Sequence, residues 1–160
     1  MPRWYDNYVR WLYRSARPGL LARMTNRLSA LALAAGLWPK RVATLEVRGR
    51  RTGQMTSFPV VIADLEGERY LVSMLGEQVN WVRNVRAACG KAILRHGRRE
   101  LVHLDEVDAD RRAPILKRYL AVAPGARPHI PVDRRAELAD FTRVAPNIPV
   151  FHITPAAAGI

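Results

Sequence analysis

Apolar residues at helical spacing dominate the first third of the chain. Residues 3–16 place tryptophan, tyrosine and leucine three or four positions apart, with arginines on the opposite side. Residues 20–36 repeat the pattern with leucines, a methionine and alanines, and Gly36 and Pro39 close this second run. The pattern predicts two amphipathic helices, which together form an N-terminal helical segment over residues 1–38.

The pattern changes after residue 40 from a helical period to a period of two, which is less clean in the second run. Three alternating runs follow at residues 43–49, 56–63 and 68–74, and short loops join them. Such runs predict an antiparallel β-meander. Pro59 within the second run predicts an edge position or a bulge, because proline cannot donate a hydrogen bond to a strand ladder.

The second half of the chain mixes short helical and short extended patterns. A hairpin is predicted about Gly97, and Asn80 is predicted to cap the helix that follows the meander. The predicted helices lie at residues 80–88, 108–122 and 133–144, and the last strand lies at 149–154.

These elements predict an α+β fold, namely a small antiparallel barrel of about six strands, closed or half-open, with flanking helices. A doubly wound parallel sheet is disfavoured because no crossover helix separates the first three strands. The 160 residues suit a single domain over residues 1–160, with the barrel and its helices filling residues 40–154.

Charge is distributed unevenly along the chain. The formal net charge is +12, and residues 1–51 carry 11 Lys or Arg against 2 Asp or Glu, a net of +9. This asymmetry predicts an anionic partner, which can be nucleic acid, a membrane surface or a phosphorylated cofactor. The single cysteine, Cys89, fits a reducing cytoplasmic compartment. The start of the chain lacks the apolar core of a signal peptide.

The sequence GRRTGQ at residues 49–54 is the main candidate for binding chemistry. Two glycines bracket a tight turn, so backbone N–H groups can converge on one concavity. Arg50 and Arg51 add forked donors that suit phosphate oxygens. The turn matches neither the Walker A nor the dinucleotide-binding pattern. The alternative is an arginine-rich turn that is simply solvated.

A second candidate element follows the third strand. Gly76 allows a close backbone approach, and the helix predicted at Asn80 presents unpaired N–H groups at its start. Trp81 in the first turn of that helix suits a flat ligand, although a lone tryptophan is more often a core residue.

The GRRTGQ turn with Pro59, followed by YLVSMLGE and NWVRNVRA, resembles the deazaflavin-dependent nitroreductase and quinone reductase family. Members are split β-barrel proteins that bind coenzyme F-420. The resemblance covers residues 40–154 and implies an F-420-dependent oxidoreductase. Such an enzyme transfers hydride from the reduced coenzyme to a hydrophobic, quinone, nitro or enone acceptor.

The resemblance also implies a set of coenzyme-binding residues in three segments. The turn would bind the phosphate and tail, with Arg51 as the basic residue, the strand end would contact the deazaflavin ring through its backbone, and the helix start would lie beside the coenzyme. The residues are Gly49, Arg50, Arg51, Thr52, Gly53, Gln54 and Pro59, then Val72, Ser73, Met74, Leu75 and Gly76, then Asn80, Trp81, Asn84 and Val85.

The chain departs from the family pattern at two sets of residues, and its loop between Gly76 and Trp81 is also short. Members often carry a second basic residue where this chain has Met55, Thr56 and Ser57, and many carry lysine where it has Leu75. These departures imply weaker or differently arranged phosphate binding. FMN remains the alternative cofactor, since related barrels bind flavin.

Hydride transfer belongs to the cofactor and requires no metal or protein nucleophile. Ser73, Tyr119 and His129 are the candidates for a catalytic proton donor, and solvent is the alternative source. The acidic cluster of Asp105, Glu106 and Asp108 is interpreted as a strand end and helix start instead of a metal site.

A small-molecule acceptor is the expected partner, and both a monomer and a homodimer are compatible with the sequence. The basic, aromatic segment at residues 3–17 predicts contact with the inner face of a membrane, unless its apolar side packs on the barrel. Non-enzymatic nucleic-acid binding is a further alternative because the isoelectric point is near 11.1. No nucleic acid is expected, because the sequence shows no helix-turn-helix, RNP or KH pattern.

Overall fold

The computed structural model describes residues 41–157, which form a closed six-stranded barrel with flanking helices. The strands are β1 (Val42–Arg48), β2 (Met55–Leu65), β3 (Glu68–Val72), β4 (Lys91–His96), β5 (Arg98–Glu106) and β6 (Val150–Pro155). The α-helices are α1 (Asn80–Ala87), α2 (Ala113–Val122) and α3 (Leu138–Val144). Short 3-10 helices lie at Ala109–Arg111, Pro124–Ala126 and Ala145–Asn147. The predicted helices at 3–16 and 20–36 lie outside the described residues.

All six strand pairings are antiparallel, and the order around the barrel is β1-β2-β3-β6-β5-β4. The predicted meander β1–β2–β3 and the β4–β5 hairpin are both present. The last strand, β6, lies between β3 and β5, where Phe151 pairs with Leu71 and Ile153 pairs with Leu104. The β1–β4 pairing joins the two hairpin units. The predicted barrel is therefore confirmed in its closed form.

Strand alternation divides the apolar residues between two cores. The barrel core lies inside the sheet and contains Leu45, Val47, Leu71 and Phe151, each at most 1% exposed. The outer core lies between the other faces of β2 and β3 and helix α2. Its members include Ala63, Val72, Tyr119, Leu116, Leu120 and Phe141. Helix α1 contributes Val82 and Val85 to the barrel core.

Two helices begin later than their sequence pattern predicts. The run at 108–122 opens as a 3-10 turn, and α2 starts at Ala113 with Pro114 in its first turn, where the missing N–H costs nothing. The run at 133–144 becomes helical only at Leu138. The side chain of Asp133 accepts a hydrogen bond from the Arg135 N–H at 2.8 Å, which favours a turn over a helix there.

The predicted cap of α1 was wrong. The N-cap residue is Val79, which makes no side-chain capping bond, and Asn80 is the first helical residue. The Asn80 side chain lies near an arginine of the β1–β2 turn instead of the backbone of its own helix.

Pro59 occupies a local edge within the closed barrel. Its partner on β1 is Thr44, whereas pairing of β2 with β3 starts only at Ile62. The Gly49–Gln54 hydrogen bond that closes the hairpin sets the alternation along β2, and it directs the Pro59 nitrogen away from β1. The missing N–H therefore costs the sheet no hydrogen bond, which confirms the predicted edge position.

Within residues 41–157, no helix is long and apolar enough to cross a bilayer.

Leu45→Ala should lower the free energy of unfolding by about 2–5 kcal/mol, because it leaves a cavity in the barrel core. Leu45 is fully buried, whereas Leu101 on β5 is 60% exposed. Leu101→Ala is therefore the matched control, and we expect it to change stability by less than about 0.5 kcal/mol. Urea unfolding measures both variants. Equal losses would contradict the assignment of Leu45 to the core.

Candidate functional site

Three segments meet at one end of the barrel, here called the turn end. They are the β1–β2 turn (residues 49–54), the loop after β3 (residues 73–79) and helix α1. The antiparallel pairing brings the end of β1, the start of β2 and the end of β3 to this side. The structure thus brings together the segments that carry the predicted coenzyme-binding motifs.

The β1–β2 turn is closed by its own backbone. The Gly49 N–H donates to the Gln54 carbonyl at 2.7 Å, and the Gly53 N–H donates to the Gly49 carbonyl at 2.9 Å. Gly53 has φ +69°, a left-handed conformation that favours glycine. A Cβ at Gly49 would lie 2.9 Å from the Thr52 hydroxyl oxygen. The backbone therefore favours glycine at position 53, whereas a Cβ at Gly49 would displace the exposed Thr52 side chain.

Arg50 fastens the turn to helix α1. Its backbone N–H donates to Asn84 Oδ1 at 3.2 Å, and its Nη1 donates to the same oxygen at 2.9 Å. Its Nη1 and Nη2 also lie 3.4 and 3.5 Å from Asn80 Oδ1. Asn84 is only 6% exposed, so its side chain is held in place by packing as well. We call these contacts the Arg50 clamp.

Arg51 has a different environment from its neighbour. It is exposed, and within residues 41–157 its side chain makes no hydrogen bond or ion pair. The backbone N–H groups of Arg51 and Thr52 likewise have no acceptor in the described part of the chain. Thr52, Gly53 and Gln54 are also exposed. The tip of the turn therefore presents one guanidinium and two free N–H groups, a donor set that suits an anion.

The loop after β3 is held by short-range hydrogen bonds. Ser73 is 2% exposed, and its hydroxyl donates to the Gly76 carbonyl at 2.6 Å. The Ser73 N–H donates to Pro149, and Gly76 adopts φ +84°. Strand β3 ends at Val72, so residues 73 and 74, which were predicted to belong to the strand, lie in the loop instead. Met74 and Leu75 are half-buried. Ser73 thus shapes the loop and has its proton committed to Gly76.

Trp81 connects the barrel core with the surface of the turn end. Its ring centroid lies 5.8 Å from that of Phe58 and 5.5 Å from that of Phe151. Most of the side chain is packed and a smaller part remains accessible, so core packing and ligand contact are both compatible with this position. Val85, at 1% exposure, serves only the barrel core in this arrangement.

The other proposed catalytic and binding residues lie elsewhere. Tyr119 is 5% exposed within the outer core, and His129 adjoins Ile130 of that same core. Pro59 lies halfway along β2, on the strand face opposite Phe58. Asp105 and Glu106 end β5, and Asp108 precedes a 3-10 helix, which confirms the structural interpretation of this acidic cluster.

The Arg50 clamp is the functional feature that the sequence analysis missed. The sequence feature that could have indicated this clamp is the i, i+4 pair of asparagines, Asn80 and Asn84, which share one face of α1. That pattern predicts a common partner for the two amides. It does not identify the partner as Arg50 instead of Arg51, because the choice depends on how α1 sits against the turn.

A separate cavity of about 500 Å³ opens at the opposite end of the barrel. Its floor is apolar, with Ala43, Ile62 and Leu94, and its rim is charged. Arg69 donates two hydrogen bonds to Glu100 there, at 2.6 and 3.0 Å, and these bonds lower the pKa of the Glu100 carboxyl. This cavity lies away from the predicted coenzyme motifs, so it is not the site they define.

The sequence model of the F420H2-dependent quinone reductase family matches residues 22–136, well over half of the 160-residue chain. The chain therefore belongs to this family, which is a family of oxidoreductases. No curated protein sequence matches it.

Solved structures confirm the split-barrel fold. A protein of unknown function from Agrobacterium tumefaciens superposes with a TM-score of 0.56 at 12% identity, covering 81% of this chain and 55% of its own. This chain thus spans little more than half the length of that protein. The F420-H2 dependent reductase FDR-A gives 0.51 at 16% identity, covering 72% and 95%. A domain-swapped dimer gives 0.53 at 15% identity, covering 84% and 96%. At these identities the likeness establishes the fold alone.

Asn84→Ala should release the turn from α1 and lower the free energy of unfolding by about 1–3 kcal/mol, because it removes the buried acceptor of two Arg50 donors. Amide hydrogen exchange at Arg50 should accelerate in this variant. Asn80→Ala is the control, since Asn80 is exposed and its contacts are longer. Unchanged exchange at Arg50 in Asn84→Ala would show that the clamp does not hold the turn.

Glu100→Gln should destabilise the protein near neutral pH but not in acid. The folded pKa of Glu100 lies below its ordinary value, so the Arg69 pair contributes stability above the unfolded pKa and loses it as the pH falls through the folded pKa. Both side chains are partly exposed, so we expect a loss of less than about 1 kcal/mol. Urea unfolding from about pH 7 down to pH 2 measures it. A difference from the parent that persists in acid would contradict this cause.

Proposed function

We propose that coenzyme F-420 binds at the turn end of the barrel. Its phosphate and tail would lie at residues 49–54, and its deazaflavin ring would lie along the loop after β3 and beside Trp81. The Arg50 clamp carries the proposal, because it holds the turn and α1 in one fixed arrangement while Arg51 stays exposed. Membership of the family supplies the chemical identity of the ligand.

The residues at the turn suit a phosphorylated ligand. A phosphate offers several acceptor oxygens, and the tip of the turn offers the Arg51 guanidinium and the N–H groups of Arg51 and Thr52. None of these donors has a protein acceptor within the described ranges. Donors without acceptors on one short turn favour an anion, and the two backbone hydrogen bonds of the hairpin hold the shape of that turn.

The residues at the loop suit a planar ring. The Ser73–Gly76 hydrogen bond and the left-handed Gly76 fix the backbone of Met74 and Leu75 next to α1. The accessible part of Trp81 adds an aromatic wall. The reduced coenzyme supplies the hydride, and this chain orients ring and acceptor and limits water between them.

We propose a hydrophobic acceptor for this hydride, with a quinone first and nitroaromatics and enones as alternatives. Half-buried Met74, Leu75 and Trp81 give the proposed ring site an apolar character that suits such molecules. The Ser73 proton is committed to Gly76, and Tyr119 and His129 belong to or adjoin the outer core. We therefore propose that solvent protonates the product.

The expectations from the sequence about other ligands, membrane contact and oligomeric state are also proposals. FMN is the alternative ligand of the same cleft, and non-enzymatic nucleic-acid binding is the alternative use of the basic charge. Contact of residues 3–17 with the inner face of a membrane concerns residues outside the described range. A monomer and a homodimer both stay open, and one structural neighbour is a domain-swapped dimer.

Arg51→Glu should abolish micromolar binding of coenzyme F-420, because reversed charge replaces attraction to phosphate by repulsion. Tryptophan fluorescence during titration with F-420, FMN and a random DNA duplex measures the affinities. Arg99→Glu is the control, because Arg99 is exposed on β5 near the opposite end of the barrel. Salt-sensitive duplex binding without any coenzyme response in the unmodified protein would overturn the proposed function.

A further inference from the structure

The two arginines of α1 differ in their partners. Arg86 is paired with Glu106 at 2.6 and 2.9 Å and lies 3.4 Å from Glu77, and these contacts raise the pKa of its guanidinium. Arg83 is exposed, and its one partner among residues 41–157 is the neutral side-chain oxygen of Gln78. The positive charge of Arg83 is therefore not paired with a carboxylate among the described residues, whereas that of Arg86 is paired with carboxylates.

Arg83 neighbours the residues of α1 that contact the turn. Residues 80, 83 and 84 share one helical face, and Asn80 and Asn84 on that face contact the turn through Arg50. Helical side chains lean toward the N-terminus, and the bond to Gln78 shows that Arg83 does so. Its guanidinium is therefore directed toward the start of α1, beside Asn80, whose side chain lies next to Arg50 of the turn.

We propose that Arg83 is the second basic residue of the phosphate site and acts opposite Arg51. The inference rests on the proposed function, since it concerns the same coenzyme. It accounts for the absence of a basic residue at Met55, Thr56 and Ser57 and at Leu75, because the charge comes from α1 instead.

Replacement of Gln78 by phosphate as the acceptor of the Arg83 hydrogen bond favours phosphate binding by Arg83. In the free protein Arg83 donates to an amide oxygen of Gln78, a neutral acceptor. A phosphate oxygen is a charged acceptor and forms a bond about twice as strong. Binding would therefore release Gln78 and place two guanidinium groups on one phosphate. The repulsion between Arg83 and Arg51 would then be offset by the anion between them.

The test compares Arg83→Gln with Arg99→Gln, which removes the same charge far from the turn. The probes are coenzyme F-420, the corresponding deazaflavin phosphate without the glutamate tail, and deazariboflavin without phosphate. We expect Arg83→Gln to weaken binding of both phosphorylated probes about ten-fold or more, and to leave the phosphate-free probe unchanged. Arg99→Gln should bind all three like the unmodified protein.

A double-variant cycle adds an independent test. If Arg51 and Arg83 contact the same phosphate, the losses caused by Arg51→Gln and Arg83→Gln should not add in the double variant. Arg83→Lys keeps the charge and serves if Arg83→Gln folds poorly, and it should retain part of the affinity. Circular dichroism and urea unfolding monitor the fold of each variant.

Four outcomes would overturn the inference. They are equal effects of Arg83→Gln and Arg99→Gln, a loss for the phosphate-free probe as well, a loss only for the probe with the tail, and strict additivity in the cycle. In each of them the unmodified protein still binds the coenzyme, so the proposed function stands. Failure of the unmodified protein to bind F-420 would overturn the proposed function and this inference together.

Discussion

Closure of the barrel is the constraint on which the other features of this structure depend. A single sheet encloses an interior only if its two edges pair, and here β6 fills the gap between β3 and β5 while β1 pairs with β4. Closure gives the sheet an inside, the barrel core, and an outside, on which α2 builds the outer core. It also gives the molecule two distinct ends.

The two ends of the barrel differ in the partners of their arginine side chains. At the end with the cavity, three arginines are matched with carboxylates, Arg69 with Glu100 and Arg41 and Arg118 with Asp64, whereas Arg99 has no carboxylate partner among the described residues. At the turn end, Arg51 has no carboxylate partner among the described residues, and Arg83 has only Gln78. Unmatched cations are expected where a protein meets an anionic ligand, because an internal carboxylate would compete for them.

Local sequence patterns were sufficient for most of the fold. The alternation of apolar and polar residues predicted β1 to β3 and the β4–β5 hairpin. The glycine-bounded turn identified the end of the barrel where the proposed site lies. Other features depend on tertiary contacts and could not be predicted from the local sequence. The position of β6 is set by pairing with residues about 80 positions earlier. Asn80 turns to Arg50 instead of capping its helix. Ser73 is committed to Gly76, a contact that composition does not signal. The different contacts of Arg50, which binds α1, and Arg51, which is exposed, likewise follow only from the position of α1.

The chemistry of the Arg50 clamp has a consequence for the rate at which ligand arrives. Both acceptors, Asn80 and Asn84, are uncharged amides, so Arg50 is fixed in place without losing its charge to a neighbour. An aspartate at either position would hold the side chain equally well but would cancel its field. With amides, Arg50 adds to the positive potential over the turn while its geometry stays fixed. Such a potential raises the frequency of productive encounters with an anionic molecule and weakens as salt is added. The clamp therefore links the rigidity of the site to electrostatic steering of its ligand.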